Sequence, residues 1–289
     1  MIRTRVKKVL PPWLFRALRD LPYAVQDMVT PRPAGALAPP LRLMYEGPRG
    51  YDVFIRNGLE TAAFYRQMLG MEPDDRVLDI GCGIGRKTVP LLDLLDARGL
   101  YVRMDLDPRG IDWCTRHIST RNPRFCFFTM PVYNRFYNPR GRLPANRFVF
   151  PFPDNAFDKI VLWSVFTHMY PGDIDHYLSE ISRILVPGGV VCASYYIMNE
   201  TARAAIHAGR ARHAVTHALG DCWTTNPNIP EDLIAVDDVW LRAAHHRHAL
   251  TIAPGDLLPD NWTGNDVAAD RTDARTAIRL QDVVIARKL

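Results

Sequence analysis

Apolar and polar positions alternate along the chain at two spacings, one helical and one extended. Asn57–Leu69 carries apolar residues at helical period, and Arg76–Ile80 (RVLDI) reads as a strand running into a glycine cluster. Arg86–Asp96 predicts a helix, Leu100–Met104 a second strand, and Pro108–Arg121 a helix opened by its proline. Phe125–Thr129 predicts a third strand, and Lys159–Trp163 (KIVLW) is apolar throughout, as a central parallel strand buried on both faces should be. Ile174, Tyr177, Leu178, Ile181, Ile184 and Leu185 recur at helical spacing until Pro187-Gly188-Gly189, after which Val190–Tyr196 predicts a fifth strand. Residues 201–248 read as mainly helical, with closing strands at Thr251–Ala253 and Asp282–Ala286. This alternation predicts an α/β fold: a mostly parallel sheet with helices on both faces.

Residues 1–42 stand apart as a basic extension and proline-rich linker ahead of a domain spanning 43–289. Trp13, Leu14, Phe15, Leu18 and Leu21 form a short apolar face with Arg16 and Arg19 between them. Such a face either packs on the body of the protein or lies on an anionic membrane surface. Residues 1–32 hold seven basic and two acidic side chains, whereas the rest of the chain is balanced, so the net charge of +5 belongs to this extension. A nucleic-acid partner bound through a basic surface on the fold itself is therefore not expected. No apolar run is long enough for a spanning helix, and the five scattered cysteines lack any C-x-x-C pair. They read as reduced thiols of a cytoplasmic protein, with peripheral contact at the inner membrane surface through residues 1–32 as the one exception.

The chemistry concentrates where the first strand meets its loop, Asp79-Ile80-Gly81-Cys82-Gly83-Ile84-Gly85. Glycines there let the backbone turn sharply and approach a ligand, and the helix expected to follow offers N–H groups to a carboxylate. Asp79 suits a cationic amino group. A dinucleotide site needs G-x-G-x-x-G and room for a pyrophosphate, but here the spacing is G-x-G-x-G with a carboxylate beside it. The second strand ends at Asp105, an acid able to accept hydrogen bonds from ribose hydroxyls.

On this loop the sequence resembles the class I S-adenosylmethionine (SAM)-dependent methyltransferases. The resemblance extends through Phe150-Pro151-Phe152-Pro153-Asp154-Asn155-Ala156-Phe157-Asp158, Trp163-Ser164-Val165-Phe166-Thr167-His168-Met169 and Tyr177-Leu178-Ser179-Glu180-Ile181. It implies a Rossmann-like seven-stranded sheet with a lid insertion, here placed at 197–236, and SAM as cofactor. It also implies that Asp79, Gly81, Cys82, Gly83 and Gly85 surround the methionine end, that Asp105 holds the ribose, and that Trp163 and Ser164 lie under the cofactor. One position departs from the family pattern: Pro131 stands where an aspartate usually contacts the adenine amino group, leaving that edge to backbone or to Asn134.

For the acceptor, His168 is the candidate base, five residues beyond the fourth strand at the carboxyl end of the sheet. The plain reading is that it hydrogen-bonds a loop carbonyl. Tyr133–Phe148 interleaves Tyr133, Phe136, Tyr137 and Phe148 with Arg135, Arg140, Arg142 and Arg147, a mixture suited to a sugar face, a phosphate or stacked bases, or else a solvated loop over the sheet edge. No N/D-P-P-Y/F motif follows the fourth strand, which points away from base amines as acceptors. His213 and His217, and the trio His245, His246 and His248, read as surface histidines, and no metal site is expected. Together these features predict methyl transfer to a small-molecule or glycan acceptor, a hydroxyl by preference. The alternative is a non-catalytic SAM-binding or scaffold protein of a membrane-associated glycan pathway.

Overall fold

Runs of β-branched and aromatic residues bounded by Gly, Pro and Asp place five parallel strands where the pattern expects them. A computed structural model describes residues 12–45, 47–81, 83–135, 137–259, 262–264 and 280–289. The parallel strands are β1 (Arg76–Ile80), β2 (Leu100–Asp105), β3 (Phe125–Thr129), β4 (Phe157–Leu162) and β5 (Leu185–Tyr195). With β10 (Leu250–Thr251) and β12 (Asp282–Lys288) they run in the order β10-β12-β5-β4-β1-β2-β3, and β11 (Leu257–Leu258) pairs with the same β12. β12 is antiparallel to β5, so the sheet is mixed only at one edge. The order reverses beside β1, the switch point at which open α/β sheets bind ligands beyond their strand ends.

Each face of the sheet carries its own apolar layer. On one side α2 (Tyr51–Leu69) buries Phe54, Phe64, Tyr65 and Leu69 against Val77, Tyr101 and Val161. On the other, α4 (Pro171–Ile184) buries Ile174, Tyr177, Leu178, Ile181 and Ile184 against Leu78, Ile160 and Leu162. The α4 side chains are the helical set expected from the sequence.

Two helices differ from expectation for identifiable reasons. Arg86–Asp96 is not an α-helix: turns lead into a single 3-10 turn at Val89–Leu92. Pro90 has no N–H to return to the Arg86 carbonyl, and α2 approaches so closely that a Cβ on Gly58 would lie 2.6 Å from that same oxygen. Pro108–Arg121 divides into α3 (Pro108–Cys114), capped by the Asp107 carboxylate on the Arg109 amide, and a wider π turn over Thr115–Ser119.

Residues 197–236 are not a helical layer. They form a second sheet, β6 (Ile197–Met198), β7 (His217–Leu219), β8 (Cys222–Thr224) and β9 (Ile234–Asp237), in the order β6-β9-β8-β7, flanked by α5 (Glu200–His207) and α6 (Asp238–Arg247). Asp282, fully buried at the head of β12, joins the two sheets by accepting from the Ile197 amide and from Trp262 Nε1.

In the extension, α1 (Pro12–Val29) is held to the body by its acids. Asp20 pairs with Arg19, Arg49 and Arg109, and Asp27 with Arg42 and the Leu41 amide. Burial pushes the Asp20 carboxyl up, but the arginine hydrogen bonds outweigh it and leave the group below the ordinary aspartate value. Of the expected apolar face, Leu18 and Leu21 are exposed, and the side chains of Trp13, Leu14 and Phe15 lie outside the described residues. Among the described residues no helix is long and apolar enough to cross a membrane.

Candidate functional site

The glycine loop begins where β1 ends. Gly81, Gly83 and Gly85 all have positive φ, and the Gly81 amide donates to the Met104 carbonyl of β2. At Gly81 two constraints coincide: φ is 74°, and a Cβ would lie 2.2 Å from Val165 Cγ2 beyond β4. Gly110 in α3 is equally constrained, since a Cβ there would meet the Gly83 carbonyl oxygen at 2.2 Å and the Tyr45 hydroxyl at 2.7 Å. A Gly110→Ala variant should therefore displace the loop and weaken cofactor binding by at least about tenfold, read by calorimetric titration, because buried contacts this short cannot relax locally. Undiminished affinity would show the loop to be free to move. Cys82 lies outside the described residues.

Two carboxylates flank the loop. Asp105 accepts from the Gly83 amide at 2.7 Å and, through its other oxygen, from the Asp107 amide at 2.7 Å. These bonds, one on each carboxylate oxygen, hold the acid in place at the loop. Asp79 is buried at the end of a polarised chain. Arg103 Nη1 donates to Thr88 Oγ1 at 3.1 Å, Thr88 donates to the Tyr101 hydroxyl at 3.0 Å, and Tyr101 donates to Asp79 Oδ2 at 2.6 Å. Since the phenol proton goes to the carboxylate, the direction of the Thr88 bond is fixed. The sequence pattern did not reveal Tyr101, Thr88 or Arg103 as partners. The available signal was two polar side chains, Tyr101 and Arg103, in a strand otherwise apolar to its end.

A strap from the extension closes over this loop. Arg86 Nη2 donates to the Pro48 carbonyl, Arg109 stacks at 4.9 Å on the Tyr45 ring, and Arg109 links Asp107 to Asp20 of α1. Tyr45 and Pro48 thus lie against side chains that flank the glycine loop. A cleft of about 320 Å³ lies beside the strap against Phe54, Arg86 and Pro90, and an open groove of about 390 Å³ lies by Trp223 and Trp240. Neither is lined by Asp79 or Asp105.

Beyond β4, Ser164 sits in the left-handed region at φ 56°, a strained conformation for a residue with a side chain. It is held by its amide on Ser194 Oγ at 2.8 Å and by its hydroxyl on Gln281 Oε1 at 3.0 Å. Trp163 faces the other way: its Nε1 donates to the Tyr65 hydroxyl at 2.6 Å and its ring packs on Phe64 and Tyr65 of α2. Ser164, through its neighbour Val165 against Gly81, adjoins the glycine loop, whereas Trp163 is mainly a packing residue.

His168 ends the 3-10 turn Phe166–His168. Its Nδ1 lies 2.8 Å from the Glu231 carbonyl, and its Nε2 lies 3.2 Å from the Tyr137 hydroxyl. A carbonyl only accepts, so Nδ1 carries a proton, and in the neutral form of the ring Nε2 accepts from the phenol. The loop-carbonyl hydrogen bond expected of His168 is made by Nδ1. Asn134 is occupied elsewhere: its amide group donates to the His168 carbonyl and its oxygen accepts from the Tyr137 amide. The Pro131 carbonyl accepts from Arg142 and Leu143. Both groups offered for an adenine edge thus hold the 131–143 loop together. Arg135, Arg140, Arg142 and Arg147 are exposed on that loop with Tyr133 and Tyr137, while Phe148 is buried and Phe136 lies outside the described residues.

The histidine reading needs one correction. His245 is buried, donating from Nδ1 to the Leu241 carbonyl at 2.9 Å with the Tyr195 hydroxyl 3.4 Å from Nε2. Burial lowers its pKa to about 4. His248 pairs with Asp175, and His213 contacts the Tyr196 hydroxyl. Among the described residues no group of three or more His, Cys, Asp or Glu could hold a metal ion.

Residues 78–193, from β1 through β5, match the family model of the methyltransferase domain. The tRNA N(3)-cytidine methyltransferase of Gallus gallus is 24% identical over 158 residues, covering 54% of this chain and 40% of that protein. The phosphoethanolamine N-methyltransferase of Triticum aestivum is 27% identical over 154 residues, covering 53% of this chain and 27% of that protein. The chain therefore spans two fifths or less of the length of these curated relatives. In fold it is similar to a chain of the complex between the Haloferax volcanii Trm112 methyltransferase activator and a methyltransferase, with TM-score 0.51, 17% identity, and 82% and 92% of the two chains covered. The named acceptors of the two relatives, a tRNA cytidine and phosphoethanolamine, differ from each other, and the first of them is a nucleic acid.

Proposed function

We propose that this chain, whose residues 78–193 match the family model of the methyltransferase domain, is a class I SAM-dependent methyltransferase that moves a methyl group to a hydroxyl of a small-molecule or glycan acceptor, with His168 as the base. When bound, SAM supplies a methyl group activated by its sulfonium. On this reading Asp79 would face the cationic amino group of SAM and Asp105 its ribose hydroxyls, both acids being held in place at the glycine loop and its strand. Ser164 stands at the end of β4 beside Gly81, and the 197–236 sheet acts as the lid, touching the site through the turn Pro230–Asp232.

The observation that carries the oxygen preference is the fixed tautomer of His168. With Nδ1–H committed to Glu231, Nε2 is ready to take an acceptor proton, directly or through the Tyr137 phenol. His168→Gln should lower kcat about 10²- to 10⁴-fold while leaving SAM affinity unchanged. The assay is transfer of labelled methyl to a panel of methyl glycosides and small alcohols. Equal turnover by the variant would remove His168 from the chemistry.

A second reading has a specific observation behind it: the relatives named as tRNA methyltransferases, together with the exposed arginine–tyrosine loop. On that reading Tyr133 and Tyr137 stack bases and the arginines hold phosphates. Methyl incorporation into bulk tRNA, absent from glycosides and insensitive to His168→Gln, would replace the first reading with the second.

A further inference from the structure

The helix α1 turns its charges inward and its apolar side chains outward. At about 100° per residue, Leu18, Leu21, Val25, Met28 and Val29 fall within an arc of about 100°. All five are exposed, from 53% at Leu18 to 84% at Met28. The opposite side carries Asp20, Tyr23 and Asp27, and these make the attachment to the body. Tyr23 lies under the Arg49 guanidinium at 3.9 Å, and both acids are paired with arginines. An exposed stripe of this kind on a helix whose polar side is already satisfied has no reason to fold outward in water alone.

The surroundings of the stripe are basic. Arg3, Arg5, Lys7 and Lys8 precede the helix in the sequence. Beyond its Met28–Val29 end, exposed Arg32 lies within electrostatic reach of His117, as do Arg116 and Arg121, and together with burial they lower the pKa of that histidine. Arg116 also reaches Asp112 at 3.9 Å. With Asp20 and Asp27 neutralised on the inner side, the outer side presents aliphatic side chains that end near the Arg32, Arg116 and Arg121 cations, and four further basic residues precede the helix in the sequence. A second copy of the chain would bring like charges together, whereas an anionic lipid surface complements both features.

We propose that α1 is a membrane-docking helix that lays Leu18, Leu21, Val25, Met28 and Val29 into the headgroup boundary of an anionic bilayer, with the flanking basic residues on the lipid phosphates. This proposal does not depend on which acceptor the methyltransferase uses.

The test is co-sedimentation of the full chain with vesicles of phosphatidylglycerol and phosphatidylcholine in equal parts, and with phosphatidylcholine alone. The expected result is binding to the anionic vesicles at low salt that falls at least about tenfold at ~1 M salt, where the Debye length is about 3 Å. The double variant Leu21→Glu, Val25→Glu should lose at least about tenfold in binding at the same melting temperature, because both side chains are exposed. No sedimentation of the wild type, or equal sedimentation of the variant, overturns the proposal. A wild-type dimer in solution that the two glutamates separate also overturns it, by making the stripe a contact between copies.

Discussion

Replacing Asp105 with alanine is expected to weaken SAM binding by about two orders of magnitude. The carboxylate is 8% exposed and does two things at once: it fixes the glycine loop through the Gly83 amide and fixes the start of the next loop through the Asp107 amide. A hydrogen bond to a charged group contributes about 1.5–3 kcal/mol, and loss of the ribose contacts together with a loosened loop gives about 3 kcal/mol, or roughly a hundredfold. Asp105→Asn retains one acceptor and should fall between the two. Calorimetric titration with SAM is the measurement. An alanine variant that binds as tightly as the wild type would mean that the ribose end is held elsewhere. A wild type that does not bind would direct attention to Pro131, whose carbonyl is already engaged by Arg142 and Leu143.

Acid should destabilise the protein through His245 as the pH falls from about 6.5 to about 4. The folded-state value is about 4, set by burial, against an ordinary value of 6.5. Between the two, the unfolded chain binds the extra proton and the folded chain does not, so stability falls as pH drops through this window and is fully retained above it. The span amounts to about 3 kcal/mol of unfolding free energy. Asp75 and Asp173, which burial raises, act in the opposite sense at lower pH, so the readout is the difference between wild type and His245→Leu in urea unfolding across pH 4 to 7. The variant should be less stable at pH 7, having left the Tyr195 hydroxyl without its partner, yet show a flatter profile. A parallel slope in both proteins would assign the acid sensitivity to other groups.

The parts of this fold that could be read from the sequence are those where one physical requirement dominates. Parallel strands need apolar runs, so β1 and β3 are legible to the residue and β2 and β4 to within two, whereas β5 begins at Leu185, five residues before the expected start, because the strand runs through Pro187-Gly188-Gly189. The glycine loop, Asp79 and Asp105 were legible because strand, glycines and acid follow one another in the chain. The second sheet was not, since β7 and β8 are three residues each and too short to show a period. Tyr101 becomes the partner of Asp79, and Thr88 that of Tyr101, only through strand register and the turns after Gly85, which no local pattern encodes. His245 was misread because a basic helix end suggests solvent, and only the packing of α6 on Tyr195 reveals otherwise.

Asp20 is one carboxylate shared by arginines from three separate segments: Arg19 beside it, Arg49 in the strap, and Arg109 in α3, whose other partner is Asp107. A single counter-ion divided in this way is a thermodynamic junction. Whatever shifts Arg109 at the glycine loop alters the charge balance that holds α1, and whatever displaces α1 alters Arg109 in turn. By reciprocity, an occupant of the loop and an occupant of the helix that both act through this junction must change one another's affinity by the same factor. The extension is thereby joined to the strap and to α3 by one shared carboxylate rather than merely appended to the domain.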